Sequence, residues 1–282
     1  MPRLSCVLGA AALALLVSAV PTSAQDAFTW ENATELSFVT TGGNATSSTL
    51  GLKSTLDGTG GPRTFKFEIG GIRASSDLTE RSAVGTPGSF TVNEVTTSIK
   101  SAENYFARGR FDRDVEVAFL FAGAGWERNT FAGVNHRYSF VAGIGKTWTD
   151  SDTGLFKTDV GGTYTIQKDI EDDPAKGDGF GGIRATIDAE RALTSTTDFT
   201  STFILDENLA DTEDLRFDWV TSIAVTLAEG LAFKTSYQLL FDNQPALVGI
   251  PLFDTGGNET GSVNVDSEKI DRFLTLSLVI SL

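Results

Sequence analysis

Charged side chains at every second residue are the first chemistry this sequence offers. Arg108, Arg110 and Asp112 alternate along one short stretch. Lys157 with Asp159, Arg184 with Asp188 and Glu190, Arg216 with Asp218, and Lys234 sit the same way in later stretches. In an extended chain, side chains two apart share a face. The alternate positions are apolar: Phe156, Val160, Tyr164 and Ile166 in one stretch, Ile183, Ala185, Ile187 and Ala189 in the next, then Phe217, Trp219, Ile223, Val225 and Leu227, and Phe233, Tyr237, Leu239 and Phe241. A charged face of mixed sign can neutralise itself with ion pairs or line a narrow wet channel.

Other site chemistry is thin. His136 is the single histidine, and Ser139 stands three residues on, which in a strand is the opposite face. A serine–histidine pair needs the two side chains within reach of one another, so no catalytic residue is assigned. Asp169, Glu171, Asp172, Asp173 and Asp178 form one acidic cluster, and Asp206, Glu207, Asp211, Glu213 and Asp214 another. Oxygen ligands of this kind bind calcium or magnesium, but neither cluster has the twelve-residue loop with its central glycine and final glutamate. Both read as solvated acidic loops that divalent ions could bridge to lipopolysaccharide phosphates. No metal site and no cofactor are assigned.

The elements that position the charged faces follow from the same alternation. The chain has 282 residues, a net charge of −15 and one cysteine, Cys6. One cysteine excludes an intrachain disulfide. The acidic balance disfavours nucleic acid, which needs clustered Lys and Arg. Residues 1–24, MPRLSCVLGAAALALLVSAVPTSA, have Arg3, an apolar core from Val7 to Val20 and a small-residue end at Ala24. That is the form of a secretory signal cut after Ala24, rather than a membrane anchor, for which the apolar core is short. Cys6 precedes the apolar core, so a lipoprotein reading fails. Residues 25–282 would form one domain with 21 basic and 37 acidic residues, a net of −16.

No later window reaches the 18 apolar residues of a membrane helix. About twelve alternating segments follow, near 28–41, 47–57, 63–76, 94–112, 115–127, 136–149, 154–169, 180–192, 197–207, 214–228, 230–243 and 269–282. Two are irregular: Phe106 falls on a polar face, and 115–126 is apolar on both faces. Connections alternate between short (DGTGGP, DRD, TDSDT, ALTST, AEG) and mostly longer stretches at 77–93, 128–135, 170–179, 208–213 and 244–268, with 42–46 outside the trend. Sorting by parity predicts a closed antiparallel transmembrane β-barrel with tight turns on one rim and excursions on the other. The chain finishes on LTLSLVISL: Leu274, Leu276, Leu278, Ile280 and Leu282 would face lipid, while Thr275, Ser277, Val279 and Ser281 face the lumen. Such an ending suits a last strand that pairs with the first, since an open edge in lipid is costly. Trp30, Trp126, Tyr138, Trp148, Phe156, Trp219 and Phe241 lie near strand ends, as interfacial girdles require.

Three stretches, ELSFVTTGGNATSSTLGL (35–52), GWERNTFAGVNHRYSFVAGIGKTW (125–148) and AFKTSYQLLFDNQPA (232–246), together with the terminal LTLSLVISL, carry a family resemblance. The chain resembles the salt-induced outer-membrane protein family (YdiY-like), a Gram-negative barrel domain. The resemblance implies an outer-membrane barrel and brings no catalytic residue, substrate or cofactor. It departs at the last position, Leu282, where outer-membrane strands commonly end in Phe for the assembly machinery to read. The expectation is a porin-like or purely structural barrel in the cell outer membrane, in contact with lipid and lipopolysaccharide. It could be a narrow passive pore linked to salt or osmotic response. The rival readings are a lipid-modifying outer-membrane enzyme and a secreted soluble β-protein.

Overall fold

A computed structural model describes residues 27–41, 45–86, 89–171, 173, 177, 179–253, 255 and 257–281. The expected signal segment, with Cys6, lies outside them, as do Asp172, Asp178 and Leu282. Fourteen strands follow in chain order. They are β1 (Thr29–Thr41), β2 (Ala45–Gly60), β3 (Arg63–Thr86), β4 (Ser89–Val115), β5 (Ala118–Asn129), β6 (Val134–Ser151) and β7 (Gly154–Asp169). The rest are β8 (Gly179–Thr194), β9 (Thr197–Asn208), β10 (Leu215–Ala228), β11 (Leu231–Asp242), β12 (Leu247–Phe253), β13 (Glu259–Asp266) and β14 (Ile270–Ser281).

Twelve of them close a barrel in which each strand pairs with its sequence neighbours, and β14 pairs with both β11 and β1. The last strand therefore joins the first, through Ala33–Ser281 to Leu36–Leu278. Closure removes the unpaired edges that lipid would penalise. Strands β12 and β13 make a separate hairpin inserted between β11 and β14.

Five two-residue turns lie on one rim, at 61–62, 116–117, 152–153, 195–196 and 229–230. Gly61 and Gly230 take left-handed φ of 55° and 71° there, a conformation glycine adopts without a Cβ clash. The opposite rim differs from the sequence expectation in two places. The stretch 77–93 is not an open loop, since β3 and β4 continue as a ladder to Thr86 and Ser89. The stretch 244–268 holds the β12–β13 hairpin. Both are polar and glycine-bearing, so composition read as loop, but a matching partner strand supplies the backbone hydrogen bonds.

The barrel is inside out relative to a soluble domain. Among the described residues four apolar side chains are buried, Phe119, Phe121, Val134 and Ala246, against eleven polar or charged ones. The large apolar side chains stand outside: Phe38 is 63 % exposed and Leu274 69 %, and Leu50, Leu52, Ile69, Leu120, Phe140 and Ile183 are exposed as well. Soluble monomers rarely expose an apolar surface this continuous, and lipid is the solvent that suits it. Outward aromatics gather towards both rims. Phe203, Phe217 and Phe241 stack in series near the long-loop side, with centroids 5.6 and 5.0 Å apart. Trp219 Nε1 donates to Ser201 Oγ at 3.1 Å, and Trp148 Nε1 to Thr158 Oγ1 at 2.8 Å near the short turns. Each indole keeps a polar partner beside its apolar body, the arrangement of an interfacial girdle.

Candidate functional site

The lumen is the candidate site, and strand register aims the side chains into it. Pairing runs continuously from β2 to β11, so the faces can be followed around the wall. Arg108, Arg110 and Asp112 on β4 share the inward face with Glu68 on β3 and Phe121 on β5. Lys157 and Asp159 on β7, Arg184, Asp188 and Glu190 on β8, Arg216 and Asp218 on β10, and Lys234 on β11 continue that face. The register thus places all eleven charged residues singled out in the sequence on the inner side of the wall.

They do not form one cluster. The tightest group centres on Glu68, which is 8 % exposed. It accepts from Arg108 Nε at 2.6 Å and pairs with Lys53 Nζ at 2.9 Å. Arg108 is also in Coulombic range of Asp218 and Glu127, and Asp218 of Arg184, so the group reaches across towards β10 and β8. Asp218 accepts a hydrogen bond from Gln238 Nε2 at 2.9 Å.

A second group is built on aromatic rings. Phe119 and Phe121 point inward from β5, opposite Gly145 and Gly143 of β6. A Cβ on Gly143 would lie 2.2 Å from the Val160 carbonyl oxygen and 2.9 Å from Phe121 Cε1. The glycines therefore bring the wall close and make a floor on which the rings lie. The Arg110 guanidinium sits 4.0 Å from the Phe121 centroid. From there it reaches Asp112 at 2.7 Å and Asp159 at 2.8 Å, bridging β4 to β7 over the two strands between them. Lys157 Nζ stands 5.8 Å from the Phe119 ring. These rings explain why 115–126 is apolar on both faces. Phe106 is inward for a similar reason: it packs where Gly70 leaves room, 5.2 Å from the Arg108 guanidinium.

Further pairs fill the remaining wall. Arg184 meets Asp206 in a two-pronged contact of 2.8 and 2.9 Å. Thr202 Oγ1 donates to Asp188 at 2.7 Å. Gln167 Oε1 accepts from Arg137 Nε at 2.7 Å and from Arg216 at 3.3 Å. Arg216 also approaches Asp214 at 3.4 Å and lies 5.0 Å from the Phe180 ring. Lys234 Nζ crosses β14 to reach Glu35 of β1 at 2.8 Å, tying the strands on either side of the closing one. Towards the short-turn mouth the inward face carries Glu31, Asp57, Asp112, Glu190 and Asp198 against Lys66 and Lys157. That mouth is an acidic vestibule.

Sequence reasoning missed Glu68, Lys53, Asp206, Glu35 and Arg137 as partners in the lumen. For Glu68 the signal was present: Phe65, Phe67 and Ile69 alternate with Lys66 and Glu68. Glu35 and Asp206 each have neutral residues two positions away on either side (Ala33 and Ser37, Ile204 and Asn208), so no charge alternation marks them.

The long-loop mouth is narrowed by the β5–β6 turn, whose flanking Asn129 and Val134 are each 1 % exposed. Thr130 N donates to Glu103 O at 2.8 Å, and Ile170 N to Gly133 O at 2.9 Å, holding the turn to its neighbours. Phe131 packs edge-on against Phe273 on the inner face of β14, with centroids 5.4 Å apart. A Cβ on Gly133 would be 2.6 Å from the Ala246 Cβ, so the stretch after β11 closes over the same turn.

His136 lies on the outward face, where its Nδ1 accepts from Trp126 Nε1 at 3.3 Å; Ser139 is inward. The lone histidine thus faces the outer surface beside a girdle tryptophan. Among the described residues no three acidic, histidine or cysteine side chains converge as metal ligands would. The second acidic cluster is divided among separate partners: Asp206 pairs with Arg184, Asp214 accepts from Asn208 Nδ2 at 3.0 Å, and Asp211 from Gln244 Nε2 at 3.0 Å.

A closed antiparallel barrel of twelve strands, apolar outside and charged within, defines this as a β-barrel of the outer-membrane class. The chain belongs to the family described as "Protein of unknown function, DUF481", which matches residues 34–256. No curated protein matches its sequence. Solved structures similar to it include a NanC porin, with a TM-score of 0.45 and 9 % identity over 89 % of this chain and 98 % of that one. An anion-selective porin from Comamonas acidovorans has a TM-score of 0.38 and 11 % identity, covering 91 % and 100 %. The translocator domain of the autotransporter NalP from Neisseria meningitidis has a TM-score of 0.40 and 12 % identity, covering 90 % and 87 %.

Proposed function

We propose that the protein resides in the cell outer membrane, after loss of residues 1–24, as a narrow passive pore for small cations. In this reading its lumen is closed at rest by its own ion pairs and responds to salt. The observation that carries it is the Arg110–Asp159 bridge at 2.8 Å, laid across β5 and β6 over Phe121. A lumen cross-linked by ion pairs differs from one filled by an apolar core: water and ions can compete for each pair. The Debye length falls from about 10 Å at 0.1 M salt to about 3 Å at 1 M, so raising salt loosens the half-exposed pairs first. The acidic vestibule at the short-turn mouth would concentrate cations there. The outward apolar band supports contact with lipid and lipopolysaccharide, and the final strand is where assembly machinery would engage.

The test is planar-bilayer conductance of the purified chain in potassium chloride between 0.1 and 1 M. Small cation-preferring steps that grow faster than the bulk conductivity support the pore. Absence of steps across that range would reduce the protein to a closed structural barrel.

A further inference from the structure

Charge is sorted by face at the short-turn rim. Within six positions of a short turn, the charged side chains on the outward face are Arg63, Arg113, Lys146 and Arg191, all basic. The strand acids at this rim, including Glu31, Asp57, Asp112, Glu190 and Asp198, point into the lumen, while Glu116, Asp152 and Glu229 lie in the turns themselves. In a chain of net charge −15 such an outward set is not what composition alone would give. For Arg191 the cross-strand neighbours supply no carboxylate on its face: they are Gly154 on β7 and Phe199 on β9.

Those neighbours build a groove. Gly154 and Ala189 form a low floor between Phe156 and Phe199, Thr149, Ser151, Thr153 and Arg191 supply polar groups, and Glu190 borders the groove from a position whose side chain faces the lumen, around a volume of about 340 Å³. Leu193, 52 % exposed, continues the apolar surface towards the turn. Two strands away, Lys146 lies over the Trp148 ring at 4.4 Å, so this depth already holds a cation beside an indole. A basic group at the edge of an apolar groove, at the boundary of the lipid-facing band, matches one kind of molecule: an amphiphile with an anionic head and an alkyl tail.

We propose that Arg191 and its groove bind a glycerophospholipid of the leaflet at the short-turn rim. The phosphate takes the guanidinium, and the first part of an acyl chain lies over Gly154 and Ala189 between the two phenylalanines. This rests on the outer-membrane reading and adds a lipid-specific site to it. The guanidinium offers a planar fork to phosphate oxygens, which an ammonium does not.

The experiment reconstitutes the full chain in vesicles of phosphatidylethanolamine and phosphatidylglycerol. It measures retention of phosphatidylglycerol on the detergent-extracted protein by native mass spectrometry, with dioleoylglycerol and inorganic phosphate as separate probes. Wild-type protein should retain phosphatidylglycerol in preference to dioleoylglycerol. Arg191→Gln should lower that retention about fivefold, the weight of one basic group near an anionic surface. Arg191→Lys should recover part of it. Ala189→Phe, which fills the floor and leaves the charge, should lower retention of both lipids. Equal retention by wild type and Arg191→Gln overturns the proposal, as does binding of inorganic phosphate that matches the lipid. Protein that fails to enter vesicles at all refutes the outer-membrane reading itself, whereas normal insertion with no lipid preference removes the groove alone.

Discussion

Arg110 is the side chain on which the lumen's closure can be tested most directly. Arg110→Met keeps an unbranched stem over Phe121 and removes the charge. Asp159, whose side chain is 2 % exposed, then loses the guanidinium 2.8 Å away, while Asp112, at 17 %, can turn to water. Stripping one partner from a buried pair costs about 3–5 kcal/mol, because the remaining charge is left uncompensated. The lost cation–π contact removes roughly 1 kcal/mol more, and a thioether on the same ring restores about as much. The single variant should therefore be about 3–5 kcal/mol less stable, nearly all of it from the stranded carboxylate. Adding Asp159→Asn removes that charge, so the double variant should regain most of the loss and sit within about 1 kcal/mol of wild type. Urea unfolding in vesicles, followed by tryptophan emission, measures both. A single variant within about 1 kcal/mol of wild type would refute the reasoning, as would a double variant no more stable than the single one. Conductance gives a second readout: Arg110→Met should raise the open level, because the bridge over the glycine floor is gone.

Two further substitutions examine the wall. Gly143→Val should prevent a heat-modifiable barrel from forming, since even a Cβ there would meet the Val160 carbonyl at 2.2 Å and Gly161 Cα at 2.5 Å, both backbone; normal refolding and gel mobility would contradict the close approach. Leu276→Arg, on the lipid face of β14, should cost about 2–4 kcal/mol in the same urea titration, as cationic side chains do near a bilayer midplane. Thr275→Arg on the inner face should cost less, and equal costs would argue that β14 does not separate lipid from lumen.

The sequence by itself determined which side of each strand a residue takes. Alternation has a period of two and needs no partner, so Phe156 and Val160 against Lys157 and Asp159 could be read locally, as could four of the five short turns; the turn expected at DRD falls instead at 116–117, because β4 stays paired with β5 up to Val115. The pairing of strand ends was legible through parity and the apolar finish at Leu274–Ile280. Tertiary structure decided which charges meet. Glu68 finds Lys53 and Arg108 from neighbouring strands, and Lys234 finds Glu35 at the far end of the chain, 199 residues away. It also decided that β3 and β4 run on as a ladder past the rim, and that Phe119, Phe121 and Phe106 turn inward over glycines. Those outcomes depend on the stagger and curvature of a closed wall, which local pattern does not encode: register fixes which residues share a height, and a glycine opposite makes room for a ring.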